Sequence, residues 1–398
     1  MVSVKLIQYL YLVDKSKGLV YNFFMNFDQN WIRKPQKRKE FNQNLLKWYN
    51  QNQRPLPWRG ENNPYNIWIS EIMSQQTRLE TVIPYYLKFV EKYPSIATLA
   101  NANDEELLKL WEGLGYYSRA RNLKVAAKQM MDNFHGKFPE KLRDIKSLKG
   151  VGDYTAAAIV SIVYGQSEPA VDGNLIRVTS RLFELDVDIS KTSSKKVFEE
   201  KLRELISHEQ PGNFNQAFMD LGSGICTPKI VKCENCPIRN FCQSFSRNTM
   251  LNFPVKTKKQ AQKDLYYIAF AIQNSSGEFF IKRRPKAGLL SEMWCFPLTE
   301  VTKAEYYKIV KKNFPPSIPP KWKRGISRIR FQKQFTHIFS HQKWHIALYL
   351  AKEDESFVIR EDINEEFHLE TEKWLTIDEI KRLPLAGPQV KMMEDISS

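Results

Sequence analysis

Leu148-Lys149-Gly150-Val151-Gly152 followed by Tyr154–Val163, and then Val171-Asp172-Gly173-Asn174, is the stretch that decides how this chain is read. The first run closes one helical segment, and Tyr154–Val163 opens the next. Two glycines let the backbone come close to an anion, and the amides then point at it from a helix N-terminus. Such a hairpin between helices grips a nucleic-acid phosphate without reading bases. Asp172 has the minimum reading of an N-cap on the helix after it.

Composition agrees with a polyanion partner. Lys+Arg number 60 against 44 Asp+Glu, a net charge of +16, with pI ≈ 9.4. An excess of that size attracts polyanions beyond contact distance. The 398 residues suggest two or three domains. At 42% hydrophobic and 26% charged the chain is neither disordered nor a membrane protein. No stretch approaches the roughly 18–20 unbroken apolar residues of a spanning helix. Near the N-terminus, Leu10-Tyr11-Leu12-Val13 is too short and too close to Asp14, Lys15 and Lys17 for a signal peptide or anchor. Met25 is an alternative start, and residues 1–24 are expected to be dispensable.

Residues 39–245 read as successive helices. Trp68, Ile72, Leu79 and Ile83 recur at helical spacing, as do Ala120, Leu123, Ala127 and Met130 after Ser118. Asp104 heads a short helix through Leu107, Leu108 and Trp111, and Phe214, Ala217, Phe218 and Leu221 form another apolar face. Residues 246–264, with Pro254, Lys256, Lys258, Lys259 and Lys263, read as a linker. Beyond it Leu265–Ile272 and Glu278–Lys282 read as strands joined by an Asn274–Gly277 turn, and His345–Ala351 as a third strand.

Four of the five cysteines stand as Cys226-x6-Cys233-x2-Cys236-x5-Cys242. Clustering excludes a secreted disulfide framework and points to a metal or cofactor in a reducing compartment. Four thiolates bind zinc or an iron–sulfur cluster. Four-cysteine zinc sites usually come as two C-x2-C knuckles, and only one is present. The x6/x2/x5 spacing resembles the [4Fe-4S] loop of the endonuclease III superfamily of DNA glycosylases. The hairpin with Asp172 likewise resembles that superfamily's HhH-GPD motif, in which the Asp heads a helix at the active site. Lys229, Lys232 and Arg239 in the loop could touch phosphates; Cys295 stands apart and reads as a core residue.

Releasing a base needs an acid that protonates it and a carboxylate that stabilises the oxocarbenium-like sugar. Asp172 supplies the carboxylate. In Ser70-Glu71-Ile72-Met73-Ser74-Gln75-Gln76-Thr77, Glu71 lies on an otherwise apolar helix. Buried there, it would be protonated near neutrality; the plain alternative is a glutamate that reaches solvent.

Pro57-Trp58-Arg59, Ser70–Thr77, Trp111-Glu112-Gly113-Leu114-Gly115-Tyr116-Tyr117-Ser118-Arg119 and Asp172-Gly173-Asn174 resemble the adenine DNA glycosylase family of the MutY type. The resemblance implies removal of adenine mispaired with 8-oxoguanine or guanine in double-stranded DNA. It implies Glu71 as the acid, Asp172 as the stabilising carboxylate, and Tyr154 and Asn174 as residues that assist and orient them. It implies Trp58 and Arg59 as the adenine pocket wall, and Gln76 and Tyr116 as probes of the stack around 8-oxoguanine. Gln216 falls where some relatives have a pocket Glu. Gly150, Val151 and Gly152 are the implied phosphate hairpin, and Cys226, Cys233, Cys236 and Cys242 the ligands of the [4Fe-4S] cluster. Bifunctional relatives carry a lysine at the position of Tyr154; without that amine, and with Ile176 nearby, a monofunctional enzyme that leaves an abasic site is expected.

Arg283–Pro297 resembles the same family's C-terminal domain, Nudix-like and without nucleotide hydrolysis. Arg360-Glu361-Asp362-Ile363-Asn364-Glu365-Glu366 is one residue off the working Nudix spacing and reads as a solvated acidic run. His337, His341 and His345 recur every four residues, but such histidines chelate only on a helix. In the family the Phe339-Ser340-His341 loop contacts 8-oxoguanine.

The expected architecture is multi-domain. Residues 1–38 are an N-terminal extension, and 39–245 an all-α helix-hairpin-helix glycosylase core with the iron–sulfur loop at 226–242. Residues 246–264 are the linker, and 265–392 an α+β Nudix-like domain that recognises 8-oxoguanine. A monomer is expected, acting in a bacterial cytoplasm on the nucleoid, with no membrane partner.

Overall fold

The computed structural model describes residues 9–14, 19–24, 30–257, 262–312, 316, 326–353 and 371–397. They form two compact units, one of residues 1–101 with 122–258 and one of residues 102–121 with 259–398.

The chain opens with an antiparallel hairpin, β1 (Tyr9–Asp14) on β2 (Leu19–Phe24). Helices follow: α1 (Pro35–Asn52), α2 (Pro64–Ser74), α3 (Leu79–Lys92), α4 (Ile96–Ala100), α5 (Asp104–Leu110) and α6 (Ser118–Asn133). Then come α7 (Leu142–Ser147), α8 (Asp153–Val163), α9 (Gly173–Phe183), α10 (Ser194–Leu205), α11 (Pro211–Gly224) and α12 (Gln243–Arg247). The second unit adds β3 (Lys263–Gln273), β4 (Phe279–Arg283), β5 (Trp294–Cys295), β6 (Leu298–Val301), α13 (Lys303–Lys312), β7 (Ile326–Ile338), β8 (Gln342–Glu353), β9 (Glu372–Leu375), α14 (Ile377–Ile380) and α15 (Gly387–Ser397).

In the helical unit α2 starts on Asn63, whose side chain accepts from the Tyr65 amide, with Pro64 in the first turn. The Trp68–Ile83 periodicity covers two helices, because Gln76 adopts a left-handed φ of 57° between α2 and α3. The core packs Phe41, Leu45 and Tyr49 of α1 against Leu175 and Val178 of α9, Phe198 and Leu202 of α10, and Phe214 and Phe218 of α11.

In the second unit the strand order is β5-β4-β3-β8-β7, with β6 also on β3 and β9 on β4. β3 and β8 run parallel; the other pairings are antiparallel. Both faces of β3 are buried. Leu265, Ala269 and Ala271 face Trp294, Phe296 and Met392. Tyr266, Ile268, Phe270 and Ile272 face Tyr306, Ile309 and Tyr349. That is why Leu265–Ile272 reads as an unbroken apolar run.

Three of the expected boundaries differ from what the structure shows. Trp31 lies inside the helical core, stacked on Phe41 and donating from Nε1 to the Phe241 carbonyl at 3.1 Å, so core packing begins before residue 39. Residues 248–257 fold back on the helical unit: Ile189 N donates to Val255 O at 3.0 Å and Thr257 Oγ1 to Asp188 at 2.6 Å. Residues 102–121 group with the second unit: Trp294 Nε1 donates to Glu105, Leu385 N to Glu112, and Arg121 to Ser291. Met25 and the Arg360–Glu366 run lie outside the described residues. Among the described residues no helix is long and apolar enough to cross a membrane.

Candidate active site

A cavity of about 930 Å³ opens in the helical unit, and seven of the residues singled out in the sequence line it: Trp58, Arg59, Glu71, Tyr154, Asp172, Asn174 and Gln216. Each arrives on a different device. α2 carries Glu71 one turn beyond a fully buried Trp68, and α8 carries Tyr154 in its first turn. Asp172 caps α9, its Oδ1 accepting from the amides of Asn174 at 2.8 Å and Leu175 at 2.7 Å. The Asn174 side chain donates to Asp172 Oδ2 at 2.8 Å, which leaves this carboxylate fixed on one side and open on the other. α11 lies close behind: a Cβ on Gly222 would stand 2.7 Å from Asn174 Cβ.

Tyr154 Oη donates to Glu71 Oε2 at 2.7 Å. Burial pushes the Glu71 carboxyl up to about 7, against the lowering effect of the Tyr154 hydrogen bond and Arg59; the Asp172 charge raises it further. Burial also raises Asp172, but the amides of Leu175 and Asn174, the Asn174 side chain and Arg177 oppose it. Two carboxyl groups therefore share one cavity in different surroundings, Glu71 with one hydrogen bond and Asp172 with three, the kind of arrangement that can separate an acid from a carboxylate. Trp58 is buried, edge-on to Tyr86 with ring centroids 4.9 Å apart. Gln76 is exposed on the turn after α2 and is not among the cavity residues.

The hairpin stands at the start of α8. Gly150 has φ 80°, and a Cβ there would meet Asn122 Cβ at 2.7 Å. Gly152 caps α8 without a side-chain acceptor, so the first amides face outward from exposed backbone. Asp153 beside them is held by Lys146 at 2.5 Å and Lys195 at 3.0 Å, which lower its carboxyl.

Cys226, Cys236 and Cys242 pack against the same core that carries α9. Arg181 of α9 is buried, its Nη1 donating to Cys226 Sγ at 3.2 Å and to Thr227 O at 2.8 Å. Burial pushes the Cys236 and Cys242 thiols up to about 12, and the other cysteines add to it. Among the described residues no three His, Cys, Asp or Glu side chains converge on one metal ion.

The family model for the HhH-GPD superfamily base excision DNA repair protein matches residues 69–208, and a NUDIX domain model matches 268–395. The adenine DNA glycosylase of Buchnera aphidicola subsp. Schizaphis graminum is 36% identical over 313 residues, covering 77% of this chain and 86% of its own. That of Mus musculus is 31% identical over 369 residues, covering 79% of this chain and 71% of its own. The chain belongs to the adenine DNA glycosylase family. Among solved structures a thermostable thymine-DNA glycosylase is 30% identical, with a TM-score of 0.49 over 53% of this chain and 98% of that one.

This family member carries a second cluster, in the unit that holds the sheet. β7 and β8 form a hairpin whose tip is Phe339–His341. Tyr116, with φ 49° and exposed, reaches this tip: its Oη lies 3.1 Å from Ser340 Oγ. Arg119 fixes the Tyr116 loop, donating to the carbonyls of Leu114 and Gly115 and lying over the Trp111 and Tyr116 rings. Phe339 packs on His337 and Trp344. The histidines do not form a helical row, since His337 and His345 sit on the two strands of the hairpin and His345 pairs with Asp264 at 2.7 Å.

Sequence reasoning missed Asp220, Arg54 and Tyr49. Asp220 is buried on α11 and binds both Arg54 and Arg59. Its signal was there to read: a lone acid among Phe218, Met219 and Leu221, the same pattern that drew notice to Glu71.

Proposed function

We propose that this protein hydrolyses the N-glycosidic bond of adenine mispaired with 8-oxoguanine, or with guanine, in double-stranded DNA and leaves an abasic site. The observation that carries this reading is the pairing of Tyr154 with a buried Glu71 across one cavity from the half-open carboxylate of Asp172. Adenine would be extruded into the cavity, at an unstacking cost of a few kcal/mol, and held between Trp58 and Arg59, with Gln216 at its edge. Glu71 holds a proton near neutral pH and donates it to the base as the C–N bond lengthens. The electrons of that bond leave with the adenine. Asp172, oriented by Asn174, faces the positive charge that develops on the sugar; water then adds to that carbon to form the C–O bond of the abasic site and gives its proton back to Glu71. Tyr154 holds the Glu71 carboxyl in place and supplies no amine, so no Schiff base forms through it.

Outside the cavity, the amides around Gly150, Val151 and Gly152 would bind a phosphate. Gln76 would probe the base stack. Tyr116 with Phe339, Ser340 and His341 would read the partner base, an 8-oxoguanine edge displacing the Tyr116–Ser340 contact. Cys226, Cys233, Cys236 and Cys242 would hold a [4Fe-4S] cluster, which would supply a charged anchor for the loop. The buried Arg181 beside Cys226 suits such an anion. We place the enzyme as a monomer in the bacterial cytoplasm, on the nucleoid.

Single-turnover release from duplexes with adenine opposite 8-oxoguanine, guanine or thymine tests the reading, scored before and after alkali. Alkali-dependent cleavage at the mismatches, slowed by about 10²–10⁴-fold in Glu71→Gln, is the expected result. No release from any duplex would overturn it, and efficient borohydride cross-linking would overturn the monofunctional part.

A further inference from the structure

We infer that Asp220 is a positioning residue for base release: it fixes Arg59 against the cavity and compensates its charge, so that Arg59 does not strip the proton from Glu71. The inference rests on the glycosylase reading above and adds a residue which that reading does not contain. Asp220 is 4% exposed on α11. Its Oδ2 accepts from Arg59 Nη1 at 2.8 Å and its Oδ1 from Arg59 Nη2 at 3.0 Å, a two-point grip that fixes the plane of the guanidinium. Oδ1 also accepts from Arg54 Nε at 2.8 Å. The same Arg59 Nη1 donates to Tyr49 Oη at 3.0 Å, and Arg59 lies over the Tyr49 ring. Arg59 is therefore held by α1 on one side and α11 on the other, with its side chain 9% exposed, whereas that of Arg54 is 35% exposed and solvated.

The consequence follows from where Arg59 sits. It lines the cavity with Glu71, and its charge pulls the Glu71 proton affinity down. The other groups around Glu71 are Tyr154 from α8 and Asp172 from the start of α9; Arg54, Arg78, Glu80, Lys232 and Asp220 itself line the same cavity. An uncompensated buried guanidinium here would favour ionised Glu71, the form with no proton to give. A cationic wall suits the electron-rich base edge, and a protonated acid suits the leaving group. Asp220 reconciles them by neutralising Arg59 within the same cavity wall.

The test is single-turnover adenine release by the full-length, cluster-containing protein across a pH series. The variants are Asp220→Asn, Asp220→Glu, Arg59→Gln and the Asp220→Asn/Arg59→Gln pair. The carboxyl of Glu71 is titrated in parallel by infrared difference against Glu71→Gln, a readout that needs no turnover. In Asp220→Asn the alkaline limb of the profile and the Glu71 titration are both expected to move down by about one pH unit, with about tenfold slower release above the limb. The pair is expected to return both to the unmodified position or higher, and Asp220→Glu to return them in part. A uniform loss of rate with an unmoved limb and an unmoved titration would overturn the inference and leave Asp220 a folding residue. Should Asp220→Asn not fold, Arg59→Gln decides alone: the titration must move up, and no movement overturns the inference. If the unmodified protein releases no adenine, the glycosylase reading fails, while the infrared titration still decides the Asp220–Arg59–Glu71 coupling.

Discussion

Glu71 and Asp172 are both carboxylic acids, and their surroundings differ in the way the two proposed tasks require. Glu71 receives one hydrogen bond, from a phenol, within an apolar helix. Asp172 receives two backbone amides and a carboxamide. Hydrogen bonds to the charged form favour it, and burial disfavours it. Release is therefore expected to fall as pH rises through about 7, where Glu71 loses its proton. The falling limb should vanish in Glu71→Gln, together with about 10²–10⁴-fold of the rate. Asp172→Asn should slow release comparably but keep its limb near that of the unmodified protein, which a pH–rate series on both variants would check.

At the scale of elements the question is what holds these side chains within reach, and glycines answer it twice. α11 approaches Asn174 where only Gly222 allows it. Gly222→Ala is expected to push Asn174 off Asp172 and slow release by tenfold or more, while affinity for an abasic-site duplex stays unchanged. The two readouts separate a misplaced carboxylate from a damaged DNA surface. The hairpin before α8 was legible in the sequence because its glycines serve a local turn. Glu71 was legible because a lone acid in an apolar helix is a local anomaly. Gly222 was not, since what it does depends on Asn174 far along the chain; Asp220 stood out as a lone acid, but its distant partners Arg54 and Arg59 did not. The break between α2 and α3 was hidden for another reason. Apolar spacing continues across it, and only the backbone of Gln76 reverses. Asp153 is a further element-level feature. It occupies Lys146 and Lys195 beside the Gly150–Gly152 hairpin, in exposed pairs worth at most about 1 kcal/mol. Asp153→Asn would free both lysines for phosphates, so DNA affinity at low salt should rise. The slope of log affinity against log salt should steepen by up to about two.

Across the whole molecule, the proposed reading would divide the recognition of one mismatch between the two units. The cavity belongs entirely to residues 1–101 and 122–258, and the Tyr116–Ser340 cluster entirely to the other unit. That assignment explains why the Glu112–Tyr117 stretch sits apart from its sequence neighbours. Glu112 and Tyr117 hydrogen-bond to Leu385 near the C-terminus, and Arg121 to Ser291. A net charge of +16 supplies attachment that ignores sequence, so discrimination must come from these short-range clusters. The exposed Tyr116–Ser340 bond contributes on the order of 1 kcal/mol, weak enough for a damaged base to replace it. Ser340→Ala is then expected to lower the preference for adenine opposite 8-oxoguanine over adenine opposite guanine by about tenfold. Release opposite guanine should stay within a factor of two of the unmodified protein. Combined with a slowed cavity variant such as Gly222→Ala, the two effects should multiply, because the residues share no partner. A Ser340→Ala loss that fell equally on both mismatches would place the partner-base reader elsewhere in the chain.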